Sequence, residues 1–281
     1  MCRWMAWSGQ PLIVEELLFK PKHGLVEQSL HSRLGVETTN GDGFGLGWYR
    51  AGNGDSPGRY RSVTPAWSDA NLRDLAAQIE SPLFLAHIRA TTGTPVQQTN
   101  CHPFRHERWL FVHNGVIHGF HEMRRELLYA IDPALFDGVA GSTDSEVLFY
   151  LALTFGLDDD PLGAVEQAVG LVEDTGRAHG VENPVQMTLG FSDGERLYAV
   201  RYSTEHRSRT LFVSEDIEAV RALHPGNERF KRMTDEDRVI VSEPVSDLPG
   251  VWREVPESTA LIVQRGPDEQ RKFHPRAPSD S

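Results

Sequence analysis

Short apolar or alternating segments, each bounded by Gly, Pro, Asn or Asp, constrain this fold more than any other feature of the sequence. They predict strands over 43–49, 59–63, 83–88, 109–113, 185–191, 197–201, 210–213, 239–242 and 260–263. Helical periodicity predicts helices over 71–79, 121–131, 143–155 and 162–179. Strands follow strands and helices follow helices, without regular alternation. The pattern therefore predicts an antiparallel α+β layered fold rather than a doubly wound one.

The length and composition are those of an ordinary globular protein. The chain has 281 residues, of which 39% are hydrophobic and 24% are charged. We expect one domain over residues 2–264, because neither an internal repeat nor a long linker divides them. The Pro-rich, polar stretch 265–281 predicts a frayed tail, and the Gly-rich stretch 52–58 predicts a loop tip between two strands.

Charge and hydropathy exclude several classes of partner. The formal net charge is -12 and no long basic cluster is present, so we expect no nucleic-acid partner. No apolar stretch approaches the ~18 residues of a membrane span, and the first residues lack the apolar core of a signal peptide. We therefore expect a cytoplasmic protein that does not enter a membrane. Its two cysteines, Cys2 and Cys101, do not suggest a disulfide framework.

Cys2 is the first candidate catalytic residue. Methionine is normally removed when the second residue is small, which would leave Cys2 with both a thiol and a free α-amine. Unperturbed pKa values of about 8.5 for the thiol and about 7.7–8.0 for the amine are nearly matched for proton transfer. The amine could then serve as the base for its own thiol. On position alone, a cysteine that merely happens to be second is the more common case.

The pair Asn114-Gly115 lies between two apolar runs, and such a pair is typical of a β-hairpin turn. The same turn could present the Asn side-chain amide and the Gly backbone N–H together as an oxyanion hole. Taken alone, the pattern favours the plain hairpin.

Two charged residues, Arg89 and Asp144, lie at the ends of predicted elements. Arg89 ends a predicted strand, where a guanidinium could hold a carboxylate, although a surface arginine is the commoner case. Thr143 and Glu146 have the spacing of a capping box, which predicts a helix start with Asp144 in its first turn. The Asp144 carboxylate could alternatively face a substrate ammonium.

The histidines do not predict a metal site. His102 and His106 are four residues apart, and His118 and His121 are three apart, as in some metal-binding pairs. However, the sequence has no His-Glu-x-x-His pattern, and Pro103 interrupts the first pair. We expect neither a metal nor another cofactor.

Taken together and in this order, the motifs resemble class II (N-terminal nucleophile) glutamine amidotransferases, in particular a compact group without a fused synthase domain. This group includes YafJ-like proteins and hydrolases of ergothioneine synthesis and glutathione degradation. A late segment, 239–244, also resembles this group. The main motifs are Met-Cys-Arg-Trp (1–4), Gly-Asp-Gly-Phe-Gly-Leu-Gly-Trp-Tyr (41–49), His-Ile-Arg (87–89), Asn-Cys-His-Pro-Phe (100–104), His-Asn-Gly-Val-Ile (113–117) and Ser-Thr-Asp-Ser-Glu (142–146).

The resemblance implies a four-layer αββα sandwich, with two antiparallel sheets between helices, and a role for each motif residue. Those implied roles are nucleophile and base for Cys2, oxyanion hole for Asn114 and Gly115, contact to the substrate α-carboxylate for Arg89, contact to the α-ammonium for Asp144, and an additional substrate contact for Thr92. The chain departs from the larger amidotransferases at 89–94, where Arg-Ala-Thr-Thr-Gly-Thr replaces Arg-Trp-Ala-Thr-His-Gly. The histidine of that run is absent from this chain, and its absence bears on the detailed shape of the glutamine pocket.

The implied reaction is cleavage of the side-chain amide of glutamine or of a γ-glutamyl compound through a Cys2 thioester. Two versions remain open at this point. The released ammonia could pass to a separate acceptor enzyme, or the γ-glutamyl substrate could simply be hydrolysed. A third alternative, from a different class, is an inactive scaffold that keeps the fold for binding.

Overall fold

The computed structural model describes residues 2–34, 39–91, 93–223, 225–226 and 228–278. The strands of these residues are β1 (Arg3–Ile13), β2 (Phe44–Arg50), β3 (Asn53–Ser62), β4 (Glu80–Ile88), β5 (Phe104–His106), β6 (Trp109–Ile117), β7 (Val185–Ser192), β8 (Leu197–Ser203), β9 (Phe212–Ser214), β10 (Arg238–Val241), β11 (Trp252–Glu254), β12 (Thr259–Val263) and β13 (Glu269–Lys272). The α-helices are α1 (Glu15–Leu18), α2 (Leu25–Leu30), α3 (Ala70–Gln78), α4 (Phe120–Tyr129), α5 (Pro133–Phe136), α6 (Asp144–Thr154), α7 (Pro161–Ala178), α8 (Ile217–Leu223) and α9 (Glu228–Arg232).

The strands form two antiparallel sheets. Sheet A has the order β11-β9-β10-β1-β4-β2-β3, and sheet B has the order β13-β12-β8-β7-β6-β5. Strand β1 lies near the centre of sheet A, where it pairs with β4 through Trp4↔His87 and with β10 through Met5↔Val241. The N-terminal strand is thus held by strands from both the first and the last third of the chain.

Three layers of apolar side chains separate the elements. Between the sheets, Trp4 and Leu85 of sheet A pack with Leu110 and Leu261 of sheet B. On the outer face of sheet B, a second core joins the strands to α4, α6 and α7. On the outer face of sheet A, a third core joins the strands to α1, α2 and α3. This arrangement confirms the predicted α+β sandwich with helices on both outer faces.

Two hydrogen bonds join the sheets near the N-terminus of β1. The Trp4 indole N–H donates to Thr188 Oγ1 of β7 at 3.0 Å, and His87 Nε2 of β4 lies 3.1 Å from the His113 carbonyl oxygen of β6. Because these groups are buried, bonds between them fix the relative position of the strands that carry them. These bonds lie near the end of β1 that follows Cys2, because Trp4 and His87 are paired there.

The predicted hairpin turn at Asn114-Gly115 is wrong. Strand β6 continues through both residues, and β7 pairs with it continuously from Leu110↔Ser192 to Ile117↔Val185. The local turn preference of Asn-Gly is overridden because β7 pairs with β6 along its whole length and holds both residues in an extended conformation. Asn114 and Gly115 therefore lie within a strand rather than at a turn tip.

The predicted frayed tail and the predicted loop tip also need correction. Strand β13 pairs with β12, and Phe273 is buried against Tyr202 with ring centroids 5.3 Å apart. Residues 269–273 therefore belong to the fold, since one strand and one aromatic anchor them. Similarly, most of the predicted loop 52–58 belongs to β3, which pairs with β2 from Arg50↔Asn53 onward. Within the described ranges, no helix combines the length and apolarity needed to cross a bilayer.

Candidate active site

Cys2 precedes β1 and lies at the edge of the space between the sheets. Trp4 and Ala6 belong to the core between the sheets, and strand alternation therefore directs Cys2 to the same side. Its Sγ lies 3.4 Å from the Ala90 backbone nitrogen, which donates to it. Burial raises the pKa of the Cys2 thiol, against the lowering effects of the Ala90 N–H and the Arg89 cation. The thiol consequently needs a base to become a nucleophile near neutral pH.

Arg89 follows β4 and is almost completely buried. Its Nη2 donates to Thr94 Oγ1 at 2.7 Å, to the Pro95 carbonyl at 3.1 Å and to Thr91 Oγ1 at 3.2 Å. All of these acceptors are neutral, and in the described part of the chain no carboxylate forms an ion pair with Arg89. A buried guanidinium held by neutral acceptors retains a full positive charge, which favours an anionic ligand.

Asp144 is the first residue of α6, and Thr143 is its N-cap, as predicted. Thr143 Oγ1 accepts from the Glu146 N–H at 3.2 Å, as in the first half of a capping box. Asp144 Oδ2 accepts from the Ile117 N–H at 2.8 Å, and Oδ1 accepts from the Ser145 N–H at 2.7 Å. The carboxylate is thus fixed at the rigid end of a helix beside β6, and remains partly exposed.

The backbone of β6 aims the Gly115 N–H at the site. Strand β5 covers the edge of β6 only as far as Phe111, and the Ile117 N–H donates to Asp144 from the same edge. Backbone N–H groups two residues apart in a strand point in the same direction, so the Gly115 N–H also leaves this edge. Alternation directs the Asn114 side chain to the space between the sheets, like Leu110 and Val112.

One cleft of about 530 Å³ brings most of the predicted residues together. Cys2, Arg89, Gly115 and Asp144 line it, with Thr94 beside Arg89. Asn114 is buried next to Gly115 in β6, on the face directed between the sheets. Thr92 lies outside the described residues. The cleft therefore offers a thiol, a cation, a carboxylate and backbone N–H groups to one small molecule.

Three residues to which the sequence gave no catalytic or substrate-binding role also line this cleft: His102, His113 and Ser145. His113 Nδ1 lies 2.7 Å from Ser145 Oγ, which in turn lies 3.0 Å from Asp144 Oδ1. Burial lowers the pKa of His113, while the Asp144 charge and the Gln186 carbonyl oppose this effect. His102 is buried with its ring against that of His87, at a centroid distance of 4.1 Å. His102 and His113 lie inside the recognised motifs, but only the fold shows that both line the cleft.

The histidine pairs considered for metal binding do not converge. His102 contacts His87 and Phe104, whereas the ring of His106 faces Tyr150 at a centroid distance of 6.1 Å. Across the described ranges, no group of three or more His, Cys, Asp or Glu side chains has the arrangement of a metal site. The site chemistry is therefore derived from its thiol, amide, guanidinium and carboxylate groups.

The fold and the sequence together define the class. Residues 24–277 match the family of class II glutamine amidotransferases, and the chain belongs to this family of enzymes. The probable glutamine amidotransferase DUG3 of Saccharomyces cerevisiae is 33% identical over an alignment of 294 residues, gaps included. The alignment covers 94% of this chain and 82% of that protein. The γ-glutamyl-hercynylcysteine sulfoxide hydrolase of Mycolicibacterium smegmatis is 30% identical over 270 residues, covering 94% and 96%.

A solved structure shows the same architecture. The glutamine aminotransferase class-II domain protein from Silicibacter pomeroyi superposes with a TM-score of 0.72 and 32% sequence identity, covering 97% of this chain and 100% of that one. This similarity includes the two antiparallel sheets and both helical layers, in agreement with the sandwich described above.

Proposed function

We propose that the chain cleaves the side-chain amide of glutamine or of a γ-glutamyl compound with Cys2 as its nucleophile. The observation that carries this proposal is the single cleft lined by Cys2, Arg89, Gly115 and Asp144. Removal of Met1 is required, because only then does Cys2 carry a free α-amine. The preserved set of reactive and charged groups supports an active enzyme over an inactive scaffold.

In the first step, the α-amine of Cys2 takes the thiol proton and Sγ attacks the substrate δ-carbonyl carbon. A thiol is mostly protonated near neutral pH, so it needs this base to attack. Negative charge develops on the carbonyl oxygen, where the Asn114 side-chain amide and the Gly115 N–H stabilise it. One such donor contributes about 3–4 kcal/mol in comparable acyl-transfer sites.

In the second step, the α-ammonium of Cys2 gives its proton to the departing amine as the carbon–nitrogen bond breaks. This leaves a γ-glutamyl thioester on Cys2. A water molecule then attacks the thioester, the α-amine accepts a proton from it, and the thiol leaves as the carbon–sulfur bond breaks. The products are glutamate and ammonia or an amine, and the enzyme returns to its starting state.

Two charged residues recognise the amino-acid end of the substrate. The Arg89 guanidinium binds the α-carboxylate, and the Asp144 carboxylate binds the α-ammonium. The burial of Arg89 among neutral hydrogen-bond acceptors and the helix-fixed position of Asp144 support these roles. Thr92, which lies outside the described residues, is proposed to add a further substrate contact. Substrates that lack a free α-carboxylate or α-ammonium would leave the charge of Arg89 or of Asp144 unpaired, and they are rejected.

We further propose that hydrolysis of a γ-glutamyl compound is the physiological reaction and that any acceptor of ammonia is a separate enzyme. Sheet A includes strands from both ends of the chain, which supports one catalytic domain over residues 2–264, extended by β13. The named activity of the M. smegmatis relative supports hydrolysis. We place the reaction in the cytoplasm, where free thiols such as Cys2 and Cys101 stay reduced.

The test measures ammonia or amine release from glutamine and from a panel of γ-glutamyl amides and peptides. Cys2→Ala is expected to abolish turnover. Cys101→Ala is the matched control, since Cys101 is a buried free cysteine outside the cleft and its loss should leave turnover within about twofold. Wild-type turnover in Cys2→Ala would disprove the proposal. Cleavage of a γ-glutamyl peptide but not of glutamine would establish the hydrolase version.

Intact-mass measurement tests the requirement for a free amine. Active protein is expected to lack the mass of Met1. If protein that retains Met1 turned over at the same rate, the α-amine of Cys2 could not be the base, and that step of the mechanism would be wrong.

A further inference from the structure

A buried carboxylate outside the cleft is connected to Cys2 through a single side chain. Glu243 follows β10, and its Oε2 lies 3.0 Å from Arg3 Nε, with both side chains almost completely buried. Arg3 Nη1 donates to the Cys2 carbonyl oxygen at 3.0 Å. The guanidinium therefore bridges the carboxylate and the residue that carries the nucleophile.

The Glu243 carboxylate collects several further donors. His23 Nε2 lies 2.5 Å from Oε1, the Arg33 N–H donates to Oε1 at 3.0 Å, and Ser32 Oγ lies 3.2 Å from Oε2. Burial alone would raise the pKa of Glu243, but His23, the Arg33 N–H and Arg3 outweigh it and hold the pKa below its ordinary value. The carboxylate is thus fixed in position from several directions, and so is the guanidinium bound to it.

Arg3 lies at the end of the hydrogen-bonded ladder between β1 and β4. The last pair between β1 and β4 on this side is Arg3↔Ile88, so Cys2 lies beyond it. Two anchors then hold Cys2: its Sγ lies against Ala90, and its carbonyl oxygen is bound by Arg3. Because the Cα atom is tetrahedral, fixing the directions of the thiol and the carbonyl also fixes the direction of the α-amine.

We infer that Glu243, acting through Arg3, is a positioning residue that aligns the α-amine of Cys2 with its thiol and with the substrate. The inference rests on the proposed function of Cys2. Arg3 and Glu243 do not line the cleft, and neither lies among the groups that face the amino-acid end of the substrate. Loss of the pair should therefore slow the chemical step without weakening substrate binding. A misplacement of about 1 Å can lower kcat by about 100-fold.

The test compares kcat and KM in variants that remove or weaken this anchor. The double variant Arg3→Met/Glu243→Gln removes both charges together, so that neither is left buried and unpaired. We expect a folded protein with kcat lowered by about 100-fold and KM for the best substrate within about twofold of wild type. Arg3→Lys keeps the charge but has no fork to reach both the Cys2 carbonyl and Glu243, and should give an intermediate kcat.

The control is a second ion pair, which also involves β10. Arg238 Nε lies 2.7 Å from Asp268 Oδ2 at the opposite end of β10, and Arg238→Met/Asp268→Asn should lower the melting temperature while leaving kcat unchanged. Intact mass confirms that Met1 is removed from every variant. Should the double variant fail to fold, Arg3→Lys decides the question by its kcat.

The outcomes separate this inference from the proposed function. An inactive wild type on every γ-glutamyl substrate would refute the function itself. An active wild type with unchanged kcat in a folded double variant, or in Arg3→Lys if the double variant does not fold, would overturn only the positioning role. A rise in KM with unchanged kcat would overturn it too, because the pair would then act on substrate binding.

Discussion

The Asp144 carboxylate accepts a hydrogen bond from the Ile117 N–H at 2.8 Å, and this bond ties the start of α6 to the uncovered edge of β6. The same edge directs the Gly115 N–H into the cleft. The carboxylate proposed to hold the substrate ammonium is therefore hydrogen-bonded to the strand that carries a donor proposed to stabilise the oxyanion. This bond limits how far the two groups can move apart.

Replacing Asp144 with Asn should raise KM for glutamine or a γ-glutamyl substrate and lower kcat/KM by about 10- to 150-fold, as expected for a hydrogen bond to a charged group worth about 1.5–3 kcal/mol. Asn retains an oxygen that can accept from the Ile117 N–H, so the helix end should stay in place. Steady-state kinetics measures the effect. Glu122→Gln, at an exposed carboxylate on the cleft rim, is the control and should change kcat/KM by less than twofold.

Replacing Arg89 with Lys should weaken discrimination at the substrate carboxylate. Lys has one point charge and cannot reproduce the guanidinium fork, which donates to the Asp42 carbonyl through Nη1 and to Thr94 through Nη2. The measurement compares the best substrate, glutamine or a γ-glutamyl compound, with its analogue that lacks the α-carboxylate. We expect wild type to prefer the substrate with the carboxylate by at least about 100-fold and the variant to lose most of this preference. An equal preference in both proteins would contradict the assigned role.

Replacing Gly115 with Ala should lower both stability and activity. A Cβ atom at this position would lie 2.1 Å from the Gln186 carbonyl oxygen and 2.4 Å from His113 Nε2, so strand β6 would have to move. We expect a loss of roughly 1–3 kcal/mol in the free energy of unfolding and a lower kcat. The control Gly226→Ala adds a Cβ that meets no described atom within 4 Å and should unfold like wild type. Chemical unfolding and kinetics check both variants.

Acid should destabilise the protein through its buried histidines. Burial lowers the pKa of His87 to about 3, whereas an unfolded histidine has a pKa of about 6.5. Between these values the unfolded chain binds the extra proton, so the free energy of unfolding falls as pH is lowered, by up to about 1.4 kcal/mol per pH unit for each such histidine. Unfolding curves from pH 6.5 to 4 should show this slope. It should be shallower in His87→Gln, and an identical slope would contradict the prediction.

Replacing Phe273 with Ala should destabilise the fold although the residue lies close to the C-terminus. Phe273 is buried and its ring packs against Tyr202. The expected loss is about 3–5 kcal/mol in the free energy of unfolding. Its neighbour Lys272 is exposed, and Lys272→Ala should stay within about 0.5 kcal/mol of wild type. Equal stability of the two variants would show that the C-terminal segment does not contribute to the core.

Local patterns predicted most of the strands and the longer helices, although not β1, and the resemblance implied the four-layer arrangement. Alternation and helical periodicity report which face of each element is apolar, and the capping pattern at Thr143 located the start of α6. Local patterns failed where distant pairing decides. Asn114-Gly115 has the local signal of a turn, but β7 supplies a partner along the whole strand.

The site was predicted unevenly for a similar reason. Motif order indicated Cys2, Arg89 and Asp144, which line one cleft. It gave no role to Glu243, although the segment 239–244 is part of the resemblance, because Glu243 is 240 residues from its partner Arg3. Such a contact depends on β10 pairing beside β1, which no short stretch of sequence encodes.

The central place of β1 in sheet A also sets an order of events during synthesis. Strand β1 cannot complete its ladders until β10, in the last third of the chain, has been made. At about 5–20 residues per second, translation leaves the N-terminus without its final neighbours for on the order of ten seconds or more. Met1 can be removed during this interval, while the chain end is accessible. Maturation of the nucleophile can thus precede burial of the strand that carries it.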